Sequence, residues 1–270
     1  MQILPRLAAA ACALALAVAS CGPSDDKEGP GASPPASAPL RIGLEAAYPP
    51  FEATDDRGEV EGFDVDLARA LAESLGRPAV FRNMKFDALI PELQAGRIDV
   101  ICSGMSFLPE RELVVDFSRP YVQVTMGVLV STEKGAAVKT IADLESAGTV
   151  IAVQRGTSGE IKGKERFPAA EFRPFATEVD AASEVAAGRA HAFVYDMVSV
   201  RKLAEKFPGR VRIVEGDLGG EVYCMAFAKG SPLVAAADAF LVRASEPGGV
   251  IDRLMSKWKP DAKRWEPAGK

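Results

Sequence analysis

From Leu40 onward, short apolar runs alternate with stretches whose apolar positions recur at helical spacing, the pattern of βαβ units built on parallel sheets. Residues 40–44 predict a first strand. Residues 63–75 place Leu67, Leu71 and Leu75 on one face and stop at Gly76, so they predict a helix with a left-handed cap. Residues 79–82 predict a strand, 87–95 a helix ended by Gly96, and 98–102 a third strand. A second half repeats the order: a helix from Thr140, with Thr140 and Asp143 as a capping pair, a strand at 150–153, a helix after Gly159, a strand at 171–175, a helix at 177–187 and a strand at 192–195. Both halves share a junction, Ala95-Gly96-Arg97 and Ala187-Gly188-Arg189. Residues 121–130 and 222–228 read as strands between the halves, and helices follow at 232–245 and 249–258. The expected fold is α/β with two lobes, each a mainly parallel sheet with flanking helices. Lobe 1 takes residues 40–121 and 226–270 and lobe 2 takes 122–225. Two crossings between lobes make a hinge, and a hinge lets a cleft close.

The first 39 residues follow neither pattern. Residues 1–20 hold one cation, Arg6, and then an apolar, alanine-rich run that is short for a membrane span and reads as a signal peptide. The run ends Leu16-Ala17-Val18-Ala19-Ser20-Cys21-Gly22, which resembles the bacterial lipobox, so Cys21 is the expected lipidation site and acyl chains such as palmitate the expected anchor. Residues 21–39 are rich in Pro, Gly, Ser and Asp and predict a disordered linker, on the order of 20 Å long if coil-like and roughly 50 Å if polyproline-like.

Charge narrows the partner. The chain carries a formal net charge of -5 with a pI near 5.2, and no Lys/Arg run or basic stripe is present to neutralise phosphates. A nucleic acid is therefore not expected, and a small solute is. The loop Gln154-Arg155-Gly156-Thr157-Ser158-Gly159-Glu160 joins a strand to a helix, where backbone N–H groups attract an anion. No Lys-Ser/Thr follows its glycines, so a nucleotide phosphate is disfavoured.

Six stretches carry a family resemblance in series: Tyr48-Pro49-Pro50-Phe51, Gly62-Phe63-Asp64-Val65-Asp66-Leu67, Phe86-Asp87-Ala88-Leu89-Ile90-Pro91-Glu92-Leu93, Gly96-Arg97-Ile98-Asp99, Pro109-Glu110-Arg111 and Asp116-Phe117-Ser118-Arg119-Pro120-Tyr121. Over residues 40–258 the chain resembles the extracellular solute-binding proteins of the polar amino-acid family (family 3), in a lipoprotein form. The resemblance implies a type II periplasmic-binding-protein-like fold and capture of a free amino acid for the membrane permease of an ABC importer. It also implies a monomer without a cofactor, exported and lipid-anchored to the cell envelope, on the periplasmic side in a Gram-negative cell.

A free amino acid presents a carboxylate and an ammonium on one carbon, so a selective site needs a fixed cation for the first and acceptors for the second. Arg111 resembles the family arginine that holds the ligand carboxylate; read without the family, it pairs as well with Glu112 or Asp116. Asp196 resembles the aspartate that takes the ammonium, and by itself it suits a helix N-cap for Met197 onward. Ser103, Gly104 and Ser106 follow a predicted strand, where parallel sheets receive ligands, or else they form a turn. By the same resemblance, Thr157 and Ser158 are expected to meet the carboxylate on closure. Glu45, Tyr48, Phe86 and Gln154 are expected to read the side chain: by the resemblance Gln154 lines its pocket and Tyr48 and Phe86 sandwich it, although read alone such aromatics are ordinarily core, and Glu45 favours basic or amide ligands. Leu108 stands where the family often has Thr, which removes a hydroxyl beside the site.

Other reactive residues fit no metal or catalytic pattern. His191 is the only histidine, and the four cysteines lack the paired spacings of zinc sites. With Cys12 in the leader and Cys21 lipidated, Cys102 and Cys224 remain, and a disulfide between them is left open. No enzymatic activity is expected. The alternative is a cyclohexadienyl dehydratase acting on prephenate or arogenate, an enzyme that resembles the same family and needs an acid such as Glu160 or Glu45.

Overall fold

The computed structural model describes residues 38–267 apart from Asp217, so the leader, Cys21 and nearly all of the linker lie outside the described residues. The first βαβαβ run comprises β1 (Leu40–Leu44), a small hairpin of β2 (Ala53–Thr54) and β3 (Val60–Glu61), α1 (Phe63–Ser74), β4 (Ala79–Asn83), α2 (Phe86–Gln94) and β5 (Val100–Ile101). Then come α3 (Pro109–Glu112), β6 (Val115–Phe117) and the long strand β7 (Val122–Ser131). The second run is β8 (Val150–Gln154), α4 (Ser158–Arg166), β9 (Glu171–Phe175), α5 (Glu178–Ala186) and β10 (Ala192–Asp196). It continues into α6 (Met197–Lys206), β11 (Val211–Val214), β12 (Gly220–Tyr223), β13 (Ala226–Ala228), α7 (Leu233–Ala244), α8 (Val250–Trp258) and β14 (Lys263–Arg264).

One sheet has the order β4-β1-β5-β13-β6 and the other β11-β7-β10-β8-β9. Each contains a parallel triplet with its first strand in the middle: β1 between β4 and β5, β8 between β9 and β10. The central strands are apolar because they are covered on both faces, and all five residues of β8 are buried. On α1 the helical spacing buries Phe63, Leu67, Ala68 and Leu71 against the first sheet's core, about 1.5–3 kcal/mol for each large side chain. The shared junctions form matching helix ends. Gly96 and Gly188 adopt positive φ (66° and 70°), and the arginine after each pairs with a glutamate five residues back, Glu92 and Glu184.

The sheets are mixed rather than parallel throughout. β13 runs antiparallel to β5 and β6, and β7 runs antiparallel to β10, β11 and β12. The apolar run 222–228 is two strands, because β12 pairs with β7 while β13 joins the other sheet. The chain changes sheets at Cys224, whose N–H donates to the Met105 carbonyl (2.9 Å). The segment from Thr140 forms only a 3-10 turn, Ile141–Glu145, with the Asp143 carboxylate accepting from the Lys139 and Thr140 N–H groups (2.7 and 2.8 Å). The bridge left open between Cys102 and Cys224 is not formed, and both thiols are free and buried. Their surroundings differ: Cys102 Sγ donates to the Asp64 carbonyl (3.4 Å), whereas Cys224 lies near Asp238, its thiol pushed up to about 12 by burial and then by that carboxylate.

Candidate functional site

The C-terminal ends of the two parallel triplets converge on one small cavity. From the first sheet, Glu45 follows β1, Phe86 opens α2 after β4, Ser103, Gly104 and Ser106 follow β5, and Arg111 lies in α3. From the second, Gln154 ends β8, Thr157 and Ser158 start α4, Thr177 and Glu178 start α5, and Tyr195 and Asp196 end β10. With Tyr48 from the loop after β1, all eleven residues expected from the sequence line this cavity.

Arg111 and Asp196 enter from opposite sheets. The Arg111 guanidinium is 5% exposed and lies 5.4 Å from the Phe86 ring centre. Nη1 donates to the Ser106 carbonyl (2.8 Å) and Nη2 to the Gly156 carbonyl across the cleft (2.9 Å). Burial lowers its pKa to about 10, so it stays a cation at neutral pH. Asp196 Oδ2 accepts from the hydroxyls of Tyr223 (2.8 Å) and Tyr48 (3.4 Å), while its buried Oδ1 has no hydrogen-bond partner. Burial, and then the charge of Glu221, raises this carboxyl to about 8. An open acceptor on a desolvated acid is suited to a cationic donor.

Several side chains lie in the cavity wall but are committed elsewhere. Glu45 accepts from Lys85 Nζ (3.2 Å), the Phe86 N–H (3.3 Å) and Gln154 Nε2 (2.6 Å), and Tyr195 in turn donates to Gln154 Oε1 (2.9 Å). Glu45 and Gln154 therefore tie the two sheets together rather than standing free. The Ser106 hydroxyl donates to Glu221 (2.5 Å), and Glu221 also meets Lys162 of α4 (2.9 Å). Ser103 accepts from the Glu45 N–H (3.0 Å) and donates to Glu52 (2.8 Å). The Thr157 hydroxyl donates to the Gln154 carbonyl (2.8 Å), and the Gly104 N–H donates to Asp64 (2.7 Å). Tyr48 stacks on Phe51 at 5.3 Å, and Phe86 already carries the Arg111 cation.

Ala47, Glu52, Thr177, Glu178 and Tyr195 line the cavity without having been singled out in the sequence. Glu178 occupies the start of α5 after β9, so the strand-end rule applied to this strand as well would have found it. Its Oε2 accepts from Ser199 Oγ (2.5 Å), and burial raises its pKa to about 7. Glu52 is held well above the usual carboxylate range, first by burial and then by the charge of Asp64, and its Oε2 has no partner. The wall thus sets four carboxyl groups (Glu45, Glu52, Glu178, Asp196) against one guanidinium. Glu160 is outside it: one oxygen caps α4 by accepting from the Gly156 N–H (2.7 Å) and the other meets Lys164 (2.6 Å). His191 Nδ1 accepts the Val150 N–H (2.9 Å) and is likewise no part of the cavity. Leu108 is buried beside α3. Among the described residues no cluster of three His, Cys, Asp or Glu side chains is arranged to hold a metal ion, and no helix is long and apolar enough to cross a membrane.

A model of the bacterial extracellular solute-binding proteins, family 3, matches residues 40–261. The chain is 36% identical over 163 residues to the probable histidine-binding protein of Neisseria gonorrhoeae, covering 59% of this chain and 58% of that protein, less than two thirds of its length. To the arginine-binding extracellular protein ArtP of Bacillus subtilis (strain 168) it is 30% identical over 261 residues, 93% of this chain and 96% of that one. The crystal structure of the ancestral amino acid-binding protein AncCDT-1, a precursor of cyclohexadienyl dehydratase, superposes with a TM-score of 0.72 at 37% identity, over 82% of this chain and 95% of that chain.

Proposed function

Because the chain belongs to the family 3 bacterial extracellular solute-binding proteins, we propose that it captures a free L-amino acid in this cavity and delivers it to the permease of an ABC importer. One observation carries the reading: Arg111 and Asp196, buried and opposite in charge when ionised, reach the same small cavity from the two sheets. The ligand carboxylate would take the remaining Arg111 N–H groups and the N-terminus of α4, and its ammonium the open Asp196 Oδ1. Only a zwitterion satisfies both, so the correct ligand favours the closed form. The lipid at Cys21 and the linker through residue 39 would hold a monomer near the envelope membrane.

The dehydratase alternative is favoured by the likeness to AncCDT-1 and by Glu178, a cavity acid that is half protonated near pH 7. Neither acid nominated from the sequence suits it, since Glu160 caps a helix and Glu45 is held by three donors. Stripping bound ligand by unfolding and refolding, then measuring thermal shifts with each amino acid and with prephenate, separates the two. A rise in Tm with one amino acid or one class is the expected result. Phenylpyruvate formation from prephenate, with no amino acid shifting Tm, would overturn it.

A further inference from the structure

The four acids of the cavity wall are not equivalent. Glu45 is occupied by Lys85, by the first N–H of α2 and by Gln154. Asp196 and Arg111 line the cavity from opposite sheets, and the Asp196 Oδ2 is held by the Tyr223 and Tyr48 hydroxyls. Glu178 opens α5 after β9, the edge strand of the second sheet, whereas Arg111 bonds to the Gly156 carbonyl just before α4 (2.9 Å). The guanidinium and the α4 N-terminus thus meet at Gly156, and Glu178 reaches the cavity from a different helix start, that of α5.

Glu178 is also built to present a carboxylate. It is 7% exposed, its Oε2 is fixed by Ser199 of α6, and no donor among the described residues bonds to Oε1. It stands in the first turn of α5, where the helix dipole favours a negative charge. Thr177 beside it adds a wall residue, although its hydroxyl donates to Asp180 (2.7 Å).

We propose that Glu178, oriented by Ser199, is the group that selects the ligand's side chain, and that the side chain it selects is cationic: a guanidinium or ammonium reaching past the Arg111–Asp196 clamp. This rests on the amino-acid-binding reading above and moves side-chain selection from Glu45, which the sequence suggested, to a residue the sequence did not single out. A ligand of this class brings two positive groups and one negative, which compensates the excess of acids over Arg111. A neutral side chain of equal length leaves Glu178 without a counter-charge.

The test compares arginine with citrulline, its neutral isostere, by calorimetry on the purified protein freed of ligand. The wild type is expected to bind arginine at least tenfold more tightly. Glu178→Gln, which keeps the shape and a partner for Ser199, should shrink that ratio at least tenfold while citrulline binding is retained. Ser199→Ala should move the ratio in the same direction by less, and it keeps the test open if the first variant folds poorly. An unchanged ratio in folded Glu178→Gln, or a wild type that prefers citrulline, overturns the assignment and leaves amino-acid capture standing. A wild type that binds no amino acid overturns both.

Discussion

At the scale of single residues, the charged pair was legible only through the family resemblance, since read alone Arg111 suits an ion pair with Glu112 or Asp116 and Asp196 suits a helix N-cap. The geometry adds that both groups are buried, which makes them costly to leave unpaired. Asp196→Asn keeps an oxygen for the Tyr223 and Tyr48 hydroxyls but removes the charge offered to an ammonium. Arg111→Ala removes the only cation among the described residues of the cavity wall. Each should weaken amino-acid binding at least 100-fold, on the order of 3 kcal/mol for a buried charge-assisted contact, with Tm of the free protein shifted by only a few degrees. Normal binding by either variant in calorimetry would remove these two residues from the site. Glu45 shows the limit of reading composition: its position at a strand end was right, yet its partners lie 40 and 109 residues away (Lys85, Gln154), and no local pattern announces them.

At the scale of elements, the parallel triplets could be read from sequence because each strand, helix and glycine stop is a local signal. The strands that join the sheets could not, since pairing partners decide them. Residues 222–228 read as one apolar run and divide only because β7 and β6 claim its two ends. β6 itself has three residues, too few for a period to show. The N-terminus of α4 borders the cavity, and Gly159 lets the helix lie close to β10. A Cβ on Gly159 would overlap the Val194 carbonyl oxygen of β10, a backbone atom that cannot swing away. Gly159→Ala should therefore push α4 off the sheet, costing about 1–3 kcal/mol of stability and weakening ligand binding about tenfold or more. At Gly163, one helical turn on, the nearest atom is the Phe172 side chain at 3.1 Å, which can shift, so Gly163→Ala is the milder control. Denaturant midpoints and dissociation constants for the pair check this, and equal affinities would show that α4 placement does not govern the site.

At the scale of the whole molecule, the cleft is bridged by Gln154 to Glu45 (2.6 Å), Arg111 to the Gly156 carbonyl (2.9 Å) and Lys202 to the Pro49 carbonyl (2.6 Å). In this bridged form two acids are buried, Glu178 at about 7 and Asp196 at about 8, each raised chiefly by desolvation. Around Glu178 stand Ser199, Glu45, Lys202 and Lys206, and around Asp196 stand Glu221, Tyr223, Tyr48 and Glu178. A carboxyl whose pKa is higher in the closed form than in an open, solvated one binds protons more tightly when closed. Lowering the pH through 8 and 7 toward the ordinary carboxylate range therefore favours closing, and raising it through those values disfavours closing. A bound cationic amino acid supplies the counter-charge instead of the proton and removes the dependence. The ligand-free protein is thus expected to be more closed at pH 5.5 than at pH 8.5, whereas the ligand-saturated protein is closed at both. Distances between spin labels on the two lobes, measured at the two pH values with and without ligand, read this directly. A ligand-free distance that is the same at both, or that shortens at pH 8.5, would mean that these acids are not what holds the empty cleft open.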